Sequence, residues 1–325
     1  MSVAEPTSTW TVTDWAHTLQ ELKERRDAAI FAHWYQGNGI EEVADVVGDS
    51  LQLLQAALRS PRSTLVVTAT VFIAESVKLL CPEKQVLIPD PLAGCSLAES
   101  CPPELFARFR QMYPEAIALV HIQSSAAVKA LGDIVITTGT AEYIVRQLPA
   151  DRTLLLVPDH ELGHYLRQRT GRHIVSWFGA CVVHTSFSVE TLKRWRLQRP
   201  DALVLCSPQC PPEIQELSDF VGSSSQLLQY AAEHSPPRVI LATDHSLSIH
   251  LRRILPKAEL LLVPAADNCH CTRCPYMRLN SLPKLYRCLL SPQEFEVHVP
   301  AELQPRARQP LERLLEMAAT SPQSC

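Results

Sequence analysis

Eleven cysteines in a chain of 325 residues are the side chains with the most chemistry to offer. The N-terminal "MSVAEPTSTWTVTDW" has neither the basic start nor the apolar run of a secretory signal. No apolar stretch reaches the roughly 20 residues that a membrane span needs. The expected compartment is the cytoplasm, where an odd set of cysteines points to metal binding or reactive thiols rather than disulfides. Three of them, Cys95, Cys181 and Cys274, each close a strand-like run: "QVLIPDPLAGC", "HIVSWFGAC" and "LLLVPAADNCHCTRC". Three converging thiolates suit an iron–sulfur cluster, because soft sulfur is the ligand that iron in such clusters takes. Three ligands on a cubane leave one iron open as a Lewis acid. The local "CHCTRCP" around Cys269, Cys271 and Cys274 also admits a structural zinc site, with Cys206 and Cys210 supplying a second pair. Cys269 and Cys271 are candidates to tune or protect a cluster. Cys81, Cys101, Cys288 and Cys325 read as ordinary small thiols at helix ends or in the tail.

The three cysteines recur because the chain repeats itself. "DVVGDSLQLLQAA" from Asp45 returns as "DFVGSSSQLLQYAA" from Asp219, with a weaker middle copy, "DIVITTGTAEYIV", from Asp133. Their alignment stacks Ser50, Thr138 and Ser224 at spacings of 88 and 86. "AIFAHWYQ", "AIALVHIQ" and "DALVLCSPQ" put His33, His121 and Ser207 in one column, and Tyr35, Gln123 and Gln209 in a second. "VPDHELGHYLRQ" resembles "ATDHSLSIHLRR" in the same way. Cys95 and Cys181 are 86 residues apart, and Cys181 and Cys274 are 93 apart, as an enlarged last loop requires.

Each copy alternates strand-like runs with helical segments, which implies parallel sheets covered on both faces. The predicted fold class is α/β: three repeated αβα-sandwich domains with parallel sheets around a pseudo-threefold axis. In such sheets, ligand groups gather in loops at the carboxyl ends of strands, where all the column residues fall. The expected divisions are a helical lead over 1–27, repeats over 28–115, 116–201 and 202–296, and a closing helix and tail over 297–325. Apolar residues at 46%, charged residues at 20% and a net charge of −4 describe an ordinary soluble protein. No basic excess suggests a nucleic-acid or membrane surface.

"FAHWYQ", "GDSLQL", "VFIAESVKLLCPEKQVLIPDPLAGCSLAESCP", "SSAAVKALGDIVITT", "WFGACVVH", "DFVGSSSQLL" and "CTRCPYMRLNSLPKLY" together resemble the quinolinate synthase family, in order from about Ala28 to Leu290. The resemblance implies one 4Fe–4S cluster on Cys95, Cys181 and Cys274. It also implies condensation of iminoaspartate with dihydroxyacetone phosphate to quinolinate, on the route to NAD, and an iminoaspartate-producing enzyme as a partner. His33, Tyr35, Ser50 and His184 match family active-site positions. Thr138, Ser223 and Ser224 match positions that hold substrate carboxylate or phosphate. A hydroxyl at a helix start suits that role independently, since free backbone N–H groups there favour anions; plain helix capping is the competing account.

The departures are concentrated. Where the family typically reads Tyr-x-Asn, this chain has His121 and Gln123; where it reads His-Pro-Glu-Cys, this chain has Ser207, Pro208, Gln209 and Cys210. Glu to Gln removes a candidate general base, and His to Ser removes a proton carrier, while His121 puts an imidazole on a neighbouring wall. His121 therefore joins His33, Tyr35 and His184 as a catalytic candidate, and Gln123, Ser207 and Gln209 join the substrate-binding set. Two other readings stand beside quinolinate synthesis: a paralogue acting on another small acidic or phosphorylated substrate, and a cluster-bearing sensor without turnover.

Overall fold

The computed structural model describes residues 10–37, 39–266 and 272–320. Among these residues, twelve strands form three four-stranded sheets. The first holds β1 (Ala28–His33), β2 (Val46–Gly48), β3 (Thr64–Thr68) and β4 (Gln85–Leu87). The second holds β5 (Ile117–His121), β6 (Ile134–Ile136), β7 (Leu154–Val157) and β8 (Ile174–Ser176). The third holds β9 (Leu203–Cys206), β10 (Phe220–Val221), β11 (Arg238–Ala242) and β12 (Glu259–Leu262). Every pairing is parallel, and the strand order is the same in each sheet: second, first, third, fourth. Because that order reverses between the first and third strands, a crevice opens at their carboxyl ends.

One aspartate fixes the same crossover in all three copies. Asp45, Asp133 and Asp219 each donate their N–H to a carbonyl fifteen residues upstream, on Ile30, Ala118 and Val204, at 2.8, 2.9 and 2.9 Å. Each also accepts that residue's own N–H on Oδ2, at 2.7, 2.8 and 2.8 Å. The remaining carboxylate oxygen meets a cation: Lys23 at 2.5 Å, Arg110 at 2.8 Å or Arg196 at 2.6 Å. The side chain thus stands in for a ladder partner and sets where the short second strand enters, which its two or three residues could not do alone.

The chain divides into two compact units, Met1–Gly94 with Pro275–Gln304, and Cys95–Cys274 with Pro305–Cys325. In the first unit, Ala28, Ile30 and Ala32 of β1 join Val66 and Leu87 against Leu19 and Leu22 of helix Val12–Arg26 and Leu285 and Leu289 of helix Leu282–Leu290. Strand alternation leaves Ala29 and Phe31 for the opposite face. In the second unit, Ala118 and Val120 of β5 pack with Leu155 and Val157 against Phe106 of helix Pro103–Gln111. Val204 and Cys206 of β9 pack with Ile240 and Ala242 against Leu192 of helix Val189–Gln198. Ala32, Val120 and Cys206 each precede a column residue, so the strand buries the one and delivers the next to the sheet's carboxyl edge. Helix Gln304–Ala319 belongs to the second unit, where Arg313 Nη1 donates to the Asp133 carbonyl at 2.8 Å. Among the described residues, no helix is long and apolar enough to cross a membrane.

Candidate functional site

The first column residues end or follow the central strand of each sheet, and a shared contact defines them. Tyr35 N–H donates to His33 Nδ1 at 3.1 Å, Gln123 N–H to His121 Nδ1 at 3.4 Å, and Gln209 N–H to Ser207 Oγ at 3.2 Å. A turn closed two residues along a side chain is a local device, so it repeats without help from the rest of the fold. In the first unit, the rings of His33 and Tyr35 meet edge to face with centroids 4.8 Å apart. In the second, His121 Nε2 lies 3.1 Å from Thr138 Oγ1. Burial, with the Lys129 ammonium adding to it, pushes the His121 pKa down to about 3, so the ring is neutral near pH 7.

The hydroxyl column separates from helix capping. Asp49, not Ser50, caps helix Ser50–Arg59, accepting Gln52 N–H at 3.1 Å, while Ser50 itself is buried. Ser223 caps helix Ser224–His234 through Gln226 N–H at 3.4 Å. Capping accounts for Ser223 and leaves Ser50 and Ser224 unexplained by it. Thr138 lies outside its helix, Ala141–Gln147, whose N-cap is Thr140. Thr138 and Gly139 line a cavity of about 530 Å³ with Pro208, Gly222 and Gln226 of the third repeat. A Cβ on Gly139 would stand 3.0 Å from Ser223 Oγ, so glycine permits this approach of the two repeats. Arg146 and Arg169 also line the cavity, both held by the Glu142 carboxylate at 2.7 and 3.2 Å, and Asp219 adds a second carboxylate, so the lining charges balance.

The three loops that carry Cys95, Cys181 and Cys274 are tethered in one way. The N–H of Val71, His160 or His245, just beyond each third strand, donates to the carbonyl of Ala93, Gly179 or Thr272 at 2.7, 2.9 and 3.0 Å. Each accepting carbonyl stands two residues before a cysteine. All three cysteines lie in the second unit, partly buried, and the Cys181 thiol is close enough to Cys95 and Cys274 to be raised by their charges, after burial as the larger cause. Burial likewise pushes Cys95 up to about 11, against backbone N–H groups of Ala98 and Leu97 that favour its thiolate. Backbone N–H groups of Ala98 and Leu97 at Cys95, and of His184 and Val183 at Cys181, favour the thiolate forms, and soft sulfur donors in such settings fit an iron–sulfur group.

Among the described residues, no three His, Cys, Asp or Glu side chains are placed to hold a single metal ion. Cys206 and Cys210 lie in the apolar core of the third repeat, where Cys210 Sγ donates to the Ala242 carbonyl at 3.2 Å. Cys269, Cys271 and Cys325 lie outside the described residues. His184 bridges the site, with Nδ1 3.2 Å from Cys181 Sγ and Nε2 2.9 Å from Thr243 Oγ1. Burial lowers its pKa to about 4.

Sequence reasoning passed over two aspartates at equivalent positions. Asp244 accepts the Ser246 N–H at 2.8 Å and the Cys274 N–H at 2.6 Å, tying its helix to the cysteine loop. Asp159 accepts the Leu162 N–H at 3.0 Å and, across the repeats, the Gln209 side-chain amide at 2.5 Å. The shared "DH" of "VPDH" and "ATDH" was the available signal.

Three copies of one parallel α/β unit, each presenting polar side chains at the carboxyl edge and one thiol loop, define a repeat-built α/β enzyme fold. A family model described as Quinolinate synthetase A protein matches residues 17–316. The quinolinate synthase of Microcystis aeruginosa is 39% identical over 318 residues, 98% of this chain and 99% of that protein. The quinolinate synthase of Prochlorococcus marinus is 40% identical over 299 residues, covering 92% and 90% of the two chains, and that of Trichodesmium erythraeum is 37% identical over 307, covering 94% and 95%. This chain belongs to the quinolinate synthase family.

Proposed function

We propose that this chain condenses iminoaspartate with dihydroxyacetone phosphate to quinolinate in the cytoplasm, with Cys95, Cys181 and Cys274 holding one 4Fe–4S cluster. The observation that carries this reading is the triplicated tether, a backbone hydrogen bond of one kind that stands two residues before each of three cysteines from distant segments. When bound, the cluster supplies an open iron as a Lewis acid for loss of water. The chain's own groups then divide the remaining work. Ser50, Thr138, Ser223 and Ser224 offer hydroxyls to carboxylate and phosphate. His121, neutral at working pH with Nδ1 taken by the Gln123 N–H, offers Nε2–H as a donor, and neutral His184 holds one proton and keeps one accepting nitrogen. Ser207, Gln123 and Gln209 orient polar atoms of the substrate, and His33 with Tyr35 assists proton transfer. An enzyme that produces iminoaspartate is the partner this chemistry calls for.

Anaerobically reconstituted protein given both substrates should form quinolinate, and the gene should rescue a quinolinate-requiring strain. Replacing any of Cys95, Cys181 or Cys274 with serine should remove the visible cluster absorption along with activity. Fully loaded protein that yields no quinolinate from either assay overturns the proposal. The second reading, another small acidic or phosphorylated substrate, is favoured by His121, Gln123, Ser207 and Gln209, whose changed types fall in the two columns at the carboxyl edge. Turnover of a related acid in place of iminoaspartate would decide for it.

A further inference from the structure

Replacement of a family glutamate by Gln209 reads, on sequence alone, as the loss of a base. The surroundings of Gln209 give it a different meaning. Its Nε2 reaches Asp159 Oδ2 at 2.5 Å, and Asp159 Oδ1 already accepts the N–H of Leu162 at 3.0 Å as the cap of helix His160–Thr170. Asp159 is fully buried, and Gln209 is 9% exposed. Burial raises the Asp159 pKa to about 6, so above that pH it is an ionised carboxylate that only accepts hydrogen bonds, and the amide turns its NH₂ toward it. That fixes the opposite end: the carbonyl oxygen Oε1 faces away from Asp159. No described residue donates to Oε1, and it is not among the buried side-chain atoms that lack a partner, so it retains some access. Pro208, the adjacent residue, lines the cavity between the second and third repeats.

We infer that Gln209 is a specificity-determining hydrogen-bond acceptor for an O–H or N–H group of the substrate, and that Asp159 is the positioning residue that holds its amide in the accepting orientation. The inference rests on the proposed reaction for its substrates. A glutamate at this position would offer an acceptor oxygen too, but it would face Asp159 with a second carboxylate, and the pair would have to share a proton. The amide keeps the acceptor and removes the need for that proton. What remains is recognition: a site built around an acceptor binds a donor-bearing ligand and rejects its donor-free analogue.

Asp159→Asn separates this arrangement from simple structural support. Asparagine caps helices as well as aspartate does, so its carbonyl stays on the Leu162 N–H and the helix is kept. Its NH₂ then faces Gln209, which must flip to accept it and present NH₂ where Oε1 stood. The double variant Asp159→Asn/Gln209→Glu restores an acceptor, because a carboxylate takes the new donor on one oxygen and keeps the other free. The full chain, labelled with ¹⁵N at glutamine side chains, shows the orientation without any substrate. The Gln209 amide signal, identified by its loss in Gln209→Glu, should sit downfield as a carboxylate donor and move upfield in Asp159→Asn.

On cluster-loaded protein, Asp159→Asn should raise KM at least about tenfold for the donor-bearing substrate, with a smaller change in kcat, and the double variant should recover most of it. Separate KM values for dihydroxyacetone phosphate and iminoaspartate, read with the other saturating, show whether the donor is a hydroxyl or the imine N–H. Wild-type protein that makes no quinolinate defeats the proposed reaction, and the amide signal still tests the orientation. Active wild type with unchanged KM in folded Asp159→Asn, an unmoved amide signal, or a double variant no better than the single one overturns the inference alone. Should Asp159→Asn not fold, Gln209→Met in the wild-type background must raise the same KM.

Discussion

His121 is an imidazole with a lowered pKa and a hydroxyl partner, and that pairing has a measurable consequence. The unfolded chain takes a proton on this ring near pH 6.5, whereas the folded chain, with its value near 3, does not until far lower pH. Its contribution to stability is therefore whole above pH 6.5 and is lost as pH falls toward 3. Urea midpoints of wild type should drop between pH 6.5 and 4, and His121→Gln should flatten that fall; an unchanged slope would show that the ring titrates normally. Gln209 marks the limit of reading residues one at a time. Residue type alone suggested a lost base, and only the position of Asp159, 50 residues earlier, shows which end of the amide is offered. For the same reason Gln209→Glu alone should not simply restore a base. It should give a pH–rate profile with an added apparent pKa from two carboxyl groups sharing a proton, and Asp159→Asn in the same chain should remove it.

At the scale of elements, the column of aspartates explains why so much of the fold was legible. The alternation of strand and helix, the parallel sheets and the hydroxyl after each second strand all follow from patterns within about 20 residues. The aspartate pins are equally local. Asp133 satisfies the Ala118 N–H and pairs with Arg110, so Asp133→Ala should cost about 1–3 kcal/mol, read as a lower denaturant midpoint with an unchanged slope. Arg110→Gln should cost less, because the pair is partly exposed and solvent screens it. The destination of helix Leu282–Leu290 was not legible. It follows the third sheet in sequence but packs with helix Val12–Arg26 against the first, and amphipathicity shows which face is buried, not against what. The distinction between Asp49 and Ser50 as the cap was hidden for a similar reason, since both residue types are good caps and only geometry selects one.

At the scale of the molecule, each unit has an apolar core of its own, built mainly from aliphatic side chains of its strands and helices. Chelation of iron from loaded protein should bleach the visible absorption yet leave the far-ultraviolet circular dichroism intact. A collapse of the helical signal on chelation would mean that the cluster, not the cores, supports the fold. Each cysteine loop is moored to its own sheet by an N–H at Val71, His160 or His245. Since those three moorings join backbone groups alone, the protein shapes its cysteine loops without calling on the sulfurs. Its amides at these positions should exchange slowly with deuterated water whether iron is present or not. If the proposed cluster is held there, its insertion should be a late step on an already shaped template, and protein stripped by air should be recoverable by iron and sulfide without passing through an unfolded chain.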